Sequence, residues 1–161
     1  MFLIDTDILS IFGKIGEVTL LHELFGTNLG MTPAIMQEIS VPLDYGYDYP
    51  NDILNTIPIV QINNEMLKYY RSLSQNKKLG SGECEAIAYC LANTGVFISN
   101  DKKAREIAKS LHVSVVSLPA LLKVVILKKI RTKEEVRTIL QKIKVADNLK
   151  LNFLVEHDIF N

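Results

Sequence analysis

Two acidic residues stand directly behind apolar segments, a position at which side chains of α/β proteins can do chemistry together. Asp5 follows the apolar run at residues 2–4, and Asp101 follows the run at residues 96–98 after two polar residues. Each run is short and apolar enough to be a buried strand. Because the carboxyl ends of parallel strands meet at one edge of a sheet, both carboxylates are predicted to project from the same edge.

Two further acids are predicted on helices that lead to this edge. Glu38 lies one to two turns into a helix that begins with Thr32 as its cap and Pro33 in its first position. Glu83 lies in the first turn of another helix, and the residues three, four and seven positions after it are apolar. Those residues share a face with Glu83, which is therefore expected to point inward rather than toward water.

Four inward-facing carboxylates favour a bound cation. An inward acid is costly unless it is paired, and no Lys or Arg accompanies any of the four. Clustered carboxylates also raise one another's pKa unless a metal ion lies between them. Oxygen-only ligand sets favour Mg²⁺ or Mn²⁺. Each acid alone could equally be a helix cap or a first-turn charge, so the prediction of a metal site depends on the joint pattern.

The elements that must position these acids alternate along the chain. Short apolar runs predict strands at residues 2–4, 29–31, 96–98 and 113–116, with an edge strand at 57–62. Apolar residues at helical spacing predict helices at residues 7–13, 17–25, 33–40, 64–75, 82–94 and 102–111, with two or three more helices after Pro119. The polar, tyrosine-rich residues 42–55 are predicted to form a loop. This alternation predicts a three-layer α/β/α fold around a central, mainly parallel sheet.

Composition places the chain among ordinary globular proteins. Its 161 residues are 48% hydrophobic and 22% charged, which suits a single domain over residues 1–161 and excludes disorder. Cys84 and Cys90 lie six apart on one predicted helix and diverge, so they are poor disulfide partners and a reducing, cytoplasmic compartment is expected. The N-terminus lacks the basic segment of a signal peptide, and no apolar stretch is long enough to span a membrane.

The order and spacing of the acids resemble those of PIN domains, most closely the prokaryotic, VapC-toxin-like subgroup. The resemblance runs from Phe2 to the amphipathic helices after Leu118. It rests on the motifs Ile4-Asp5-Thr6, Met36-Gln37-Glu38-Ile39, Gly80-Ser81-Gly82-Glu83-Cys84-Glu85-Ala86-Ile87 and Ile98-Ser99-Asn100-Asp101. PIN domains characteristically place their third acid 18 residues before the fourth, which is the separation of Glu83 and Asp101. The resemblance therefore favours Glu83 over Glu85 as the inward acid.

The resemblance implies a metal-dependent endoribonuclease that cleaves single-stranded RNA, acting as the toxin of a toxin–antitoxin pair. One or two Mg²⁺ or Mn²⁺ ions would be held by the acids that match the family motifs: Asp5, Glu38, Glu83 and Asp101. Thr6 would orient a ligand or a water. Asp7 is an additional acid that the family commonly lacks at this position, and Val116-Ser117-Leu118-Pro119 replaces a Gly-Thr-rich turn. These departures leave the choice between one and two metal ions open.

A strong charge asymmetry underlies the net charge of zero. Residues 1–100 hold 5 basic and 11 acidic side chains, whereas residues 101–161 hold 13 basic and 7 acidic ones. Four cations lie on the helix predicted to begin beside Asp101 and are expected to hold the RNA backbone next to the metal: Lys102, Lys103, Arg105 and Lys109. The alternative is that these side chains cover a solvated helix face.

The expected partners are a second copy of this chain and a small antitoxin. Toxins of the family that this sequence resembles usually form homodimers and are inhibited by an antitoxin that reaches into the acidic cleft. In this sequence the C-terminal segments carry more apolar positions than one side of a small sheet covers. The residues predicted to form an exposed stripe are Leu121, Leu122, Val125 and Ile126, with further apolar surface at Leu151, Phe153, Leu154, Ile159 and Phe160. A homodimer built from these helices is predicted, and the alternative is that they complete the core of one chain.

Two other functions fit parts of the sequence. A catalytically silent PIN module would bind RNA or a protein without cutting, but it would have no reason to keep a repulsive acidic cluster. Asp5-Thr6-Asp7 after a strand is also similar to the haloacid-dehalogenase phosphatases, although Leu9 replaces their usual Thr or Val and no Gly-Asp-Gly-type loop follows residues 96–98. The three histidines show no zinc-ligand spacing.

Overall fold

Four parallel strands form the central sheet. A computed structural model describes all 161 residues. The strands are β1 (Phe2–Ile4), β2 (Leu29–Gly30), β3 (Val96–Ile98) and β4 (Ser114–Val116), in the spatial order β2-β1-β3-β4. Leu3 pairs with Gly30 on one side and with Phe97 on the other, and every pairing is parallel. The predicted parallel sheet is thereby confirmed.

Ten helices flank this sheet. They are α1 (Thr6–Lys14), α2 (Val18–Phe25), α3 (Pro33–Ser40), α4 (Pro50–Thr56), α5 (Asn64–Leu73), α6 (Ser81–Asn93), α7 (Lys102–Ser110), α8 (Leu118–Leu127), α9 (Lys133–Asp147) and α10 (Phe153–Phe160). The predicted edge strand is reduced to a single parallel bridge between Met31 and Ile59. Two backbone hydrogen bonds hold it, from Met31 N–H to the Pro58 carbonyl (3.0 Å) and from Val60 N–H to the Met31 carbonyl (2.9 Å).

The predicted loop at residues 42–55 is wrong. The structure has a 3₁₀ helix at Val41–Tyr45 and then α4 at Pro50–Thr56. Each of these helices carries a proline in its first turn, Pro42 and Pro50, where the missing N–H removes no helical hydrogen bond. The prolines that indicated a loop in the sequence therefore begin helices instead.

One hydrophobic cluster of 38 buried residues forms the core. It includes the α8 residues that were predicted to form an exposed stripe, since Leu121, Leu122 and Val125 are at most 1% exposed. Their predicted exposure is wrong because α9 and α10 both pack against α8. The buried face of α8 thus belongs to the core of one chain, and the predicted homodimer can no longer use this stripe.

The two cysteines are buried within the fold and carry free thiols. Burial raises the pKa of Cys90 to about 12, so its thiol stays protonated at neutral pH. None of the helices combines the length and the apolar character needed to cross a lipid bilayer.

Candidate active site

Asp5 begins the site at the carboxyl end of β1. It is the N-cap of α1, and its Oδ1 accepts the Thr6 N–H at 2.8 Å. Its Oδ2 accepts the Ser99 hydroxyl at 2.7 Å, and the residue is only 3% exposed. The parallel register of Ile4 with Ile98 explains this contact, because it brings the residues after β1 and β3 side by side.

Ser99 also holds Asp101 close to Asp5. The Ser99 Oγ accepts the Asp101 N–H at 3.0 Å while it donates to Asp5, so one buried hydroxyl bridges the two acids. Asp101 is also the N-cap of α7, where its Oδ1 accepts the Ala104 N–H at 2.7 Å. Ser99 was not among the site residues predicted from sequence. The signal that could have found it is a polar residue directly after a buried strand.

Glu38 extends from α3 to two other helices. One of its carboxylate oxygens, Oε2, accepts the Thr6 hydroxyl. The other, Oε1, accepts the Gly82 N–H at 3.1 Å and the Ser81 hydroxyl at 3.2 Å. A Cβ on Gly82 would lie 2.8–2.9 Å from both oxygens of the Glu38 carboxylate, so this close approach requires glycine.

Glu83 and Glu85 have separate environments. The Glu83 Oε2 accepts the Gly80 N–H at 2.8 Å at the start of α6. Burial raises the pKa of Glu83, and the charges of Asp101 and other nearby acids raise it further. Glu85 instead accepts the Ala34 N–H at 2.8 Å and thereby caps α3. The structure thus brings Glu83, rather than Glu85, among the clustered acids.

The cluster has uncompensated negative charge. Burial raises the pKa of Asp5 to about 7, and repulsion from Asp7 and Glu83 adds to this against the hydrogen bonds from Ser99 and Thr6. The structure contains seven salt bridges, and none of them includes an acid of the predicted quartet. The site therefore disfavours a full set of charged carboxylates unless a cation is bound.

Asp7, the additional acid after β1, has Asp147 as a neighbour that the sequence did not predict. The pKa of Asp7 is raised, first because neighbouring protein removes part of its hydration and then by the charges of Asp147, Asp101 and Glu38. Asp147 is the last residue of α9 and pairs with Lys14 at 2.8 Å. The C-terminal end of α9 therefore reaches the acidic cluster.

The donor chemistry of the cluster fits a hard divalent cation. All candidate ligands are carboxylate or hydroxyl oxygens, and two carboxylate oxygens, Asp101 Oδ2 and Glu83 Oε1, accept no hydrogen bond. No three His, Cys, Asp or Glu side chains stand at metal-ligating separation from one another. The side chains are turned toward protein donors, so binding a cation would require rotation about side-chain bonds.

The cations predicted to hold substrate lie beside Asp101. Lys102 and Lys103 are exposed in the first turn of α7, and Lys102 lies 3.8 Å from Glu106. Arg105 is half-buried, and its Nη1 donates to the Ser99 carbonyl at 2.9 Å. Arg105 is therefore attached to the segment that bridges the acids, whereas the two lysines extend into solvent. Lys109 is exposed in the last turn of α7.

Comparison with known proteins adds two findings. A family model described as a PIN domain matches residues 1–152. Among solved structures, a chain of VapBC-1 from nontypeable Haemophilus influenzae matches with a TM-score of 0.52 at 13% identity, covering 72% of this chain and 96% of that one. No curated protein matches the sequence. The matched family segment includes all four clustered acids, and the structural likeness shows a shared fold.

Proposed function

This chain belongs to the PIN-domain family, and from that premise we propose that it is a metal-dependent endoribonuclease acting on single-stranded RNA. The cofactor would be Mg²⁺ or Mn²⁺ held by the clustered acids: Asp5, Glu38, Glu83 and Asp101. The observation that carries the proposal is their convergence from four separate elements at one sheet edge without a single ion-pair partner. Such an arrangement destabilises the metal-free fold, and this cost supports the proposal that a divalent cation binds among the acids.

Each protein group in the site has a positioning role. Bound there, the divalent ion would supply a water of lowered pKa and positive charge against the scissile phosphate. The Ser99 hydroxyl orients Asp5 and fixes the backbone of Asp101. The Thr6 hydroxyl holds Glu38, which is also fixed by the Gly82 N–H. No His or Lys side chain is needed as a general base, because the acids themselves can accept a proton.

Substrate binding is assigned to the cations at the start of α7. Lys102 and Lys103 are exposed next to Asp101, so they can reach the phosphates on either side of a scissile bond. Arg105 is fixed in place by the Ser99 carbonyl and presents its remaining N–H groups from a constant position.

The biological setting we propose is a toxin–antitoxin pair. The likeness to VapBC-1 and the VapC-like motifs support this role. A small antitoxin would need only one Arg or Lys at the acidic cluster, since a cationic side chain there replaces the divalent ion and blocks the substrate phosphate. Growth arrest on expression, relieved in the Asp5→Asn variant, is the expected phenotype.

Cleavage of a labelled single-stranded RNA in Mn²⁺, Mg²⁺ or EDTA tests the proposed activity. We expect cleavage with either metal, none in EDTA, and a loss of at least about 100-fold in Asp5→Asn. Glu65→Gln is the matched control, because Glu65 is an exposed acid on α5 without an ion pair. Wild-type cleavage that persists in excess EDTA would exclude the proposed mechanism, and RNA binding without any cleavage would favour the silent module.

A further inference from the structure

We propose that the cleft beside Asp101 binds one or two nucleotides of the substrate RNA next to the cut. This inference rests on the proposed function and names a separate binding site for it. The cleft has a volume of about 760 Å³. It lies between the start of α7, one face of α8, the segment 149–152 and α10. Sites for small ligands have volumes of roughly 300–1,000 Å³, so a nucleotide fits.

The cleft lies beside the acidic cluster, although none of the four acids lines it. Asn100 and Arg105 line it, and they lie on either side of Asp101 in sequence. The Arg105 guanidinium donates to the carbonyl of Ser99, the residue whose hydroxyl bridges Asp5 and Asp101. An RNA strand that contacts the acids through one phosphate can therefore extend its neighbouring nucleotides toward the cleft.

The charge of the cleft is opposite to that of the acidic cluster. Three cations line it, Arg105, Lys123 and Lys150, against a single acid, Asp158, which pairs with Lys123 at 2.8 Å. Arg105 and Lys150 form no ion pair, so both charges are available to a phosphate group. A polyanion that touches the acids only through its scissile phosphate gains attraction here.

The outer wall is apolar and exposed. Leu127 is 68% exposed, Leu154 71% and Val155 40%, and all three line the cleft. A nucleobase can cover these aliphatic side chains while its phosphate contacts Arg105 or Lys150. The lining contains no aromatic ring on which a base could stack, so the aliphatic side chains provide the apolar contact for the base. The charges favour RNA over a protein segment as the occupant.

Binding of a fluorescein-labelled single-stranded RNA to the full-length protein in EDTA tests the cleft without cleavage. Lys150→Glu should weaken binding by about 10-fold and reduce the salt dependence of the dissociation constant. Leu154→Glu, at an exposed apolar position, should weaken binding as well. Lys68→Glu makes the same charge change as Lys150→Glu on α5, outside the cleft, and should stay within about two-fold of wild type.

The location is tested with an RNA that carries a single 4-thiouridine. Photocrosslinks mapped by mass spectrometry to residues 149–152, 154 or 155 support the cleft, whereas crosslinks confined to other surfaces overturn it. Wild-type RNA affinity in both cleft variants, with metal-dependent cleavage intact, rejects the cleft but keeps the proposed nuclease. In that case a protein segment is the better occupant. Cleft-dependent RNA binding with no cleavage in any metal rejects the nuclease but keeps the cleft.

Discussion

Burying the Asp5 carboxylate is the main free-energy cost that the site imposes on the folded protein. It is 3% exposed and its pKa is raised to about 7 by burial and by neighbouring acids. In the metal-free protein the folded state therefore holds a proton on Asp5 at pH values where the unfolded chain has lost it. Stability falls as the pH rises from about 4 to about 7, because the native state binds more protons than the unfolded state there.

Replacing Asp5 with Asn should remove this cost. In chelator at pH 8 we expect Asp5→Asn to be more stable than wild type by roughly 2–4 kcal/mol, and near pH 4 the two should be alike. The amide keeps an oxygen for the Thr6 N–H, and the Ser99 hydroxyl can rotate to accept from the amide nitrogen. Urea denaturation at several pH values measures the effect.

The same series tests the metal site through stability alone. Added Mn²⁺ should raise the stability of the wild type, because a ligand that binds only the folded state stabilises it, and should have a much smaller effect on Asp5→Asn. Equal stabilisation of both proteins by Mn²⁺ would show that Asp5 is not a ligand. A wild type whose stability is flat between pH 4 and 8 would contradict the assigned cost of burial.

At the scale of elements, the contact between α3 and the start of α6 depends on Gly82. An added Cβ would meet both Glu38 oxygens at 2.8–2.9 Å and the Ile35 Cγ1 at 2.9 Å. Gly82→Ala should therefore displace Glu38 from the Gly82 N–H, lower RNA cleavage by at least about 10-fold, and cost roughly 1–3 kcal/mol of stability through overpacking.

Gly80→Ala is the matched control in the same turn. A Cβ on Gly80 would meet only the Glu83 carboxylate, at an ordinary 3.8 Å, and its N–H to Glu83 is unchanged. Its cost should stay below about 1 kcal/mol with cleavage retained. If the two variants lose activity equally, flexibility of the turn rather than the position of Glu38 is responsible.

The elements that could be predicted from sequence are those determined by local residues. The strand after Met1 and the Thr32–Pro33 helix start each follow from a few neighbouring side chains, and the structure has both. The helix at Pro50–Thr56 was missed because a proline can both end one helix and begin another. Local sequence does not distinguish these two cases.

The parts of the site that could not be predicted are contacts between distant residues. Thr6 and Glu38 lie 32 positions apart, and Ser99 and Asp5 lie 94 apart. Their pairing depends on the order of the strands, which local periodicity does not specify. The spacing of the acids indicated one shared edge, but it could not show that Ser99 bridges two of them or that the end of α9 reaches Asp7.

At the scale of the whole molecule, the acidic and basic parts of the sequence meet at the site. Three of the clustered acids come from residues 1–100, which hold 11 acidic side chains against 5 basic ones. The cations of α7 and the cleft come from residues 101–161, where the excess is reversed. The charge asymmetry along the sequence thus places the proposed cation site next to the proposed RNA-binding surface.

The predicted homodimer now depends on side chains other than the buried α8 stripe. Val145 on α9 is 85% exposed and Phe153 on α10 is 78% exposed, and neither lines the cleft. Gln141 lines a shallow cavity with each of them, so the two lie on a common face of α9 and α10. Pairing through this face would bury both side chains and leave the acids and the cleft open to RNA.

Light scattering at micromolar concentration tests this arrangement. We expect a mass of about 36 kDa for the wild type, twice the 18.1 kDa of one chain, and a shift toward the single-chain mass in Phe153→Ser. Tyr47→Ser is the control, because Tyr47 is 61% exposed on a different part of the surface. RNA cleavage per chain should be unchanged in Phe153→Ser, since the acids and the cleft belong to one chain. A wild-type mass near 18.1 kDa would end the homodimer prediction, and an unchanged dimer in Phe153→Ser would place its interface elsewhere.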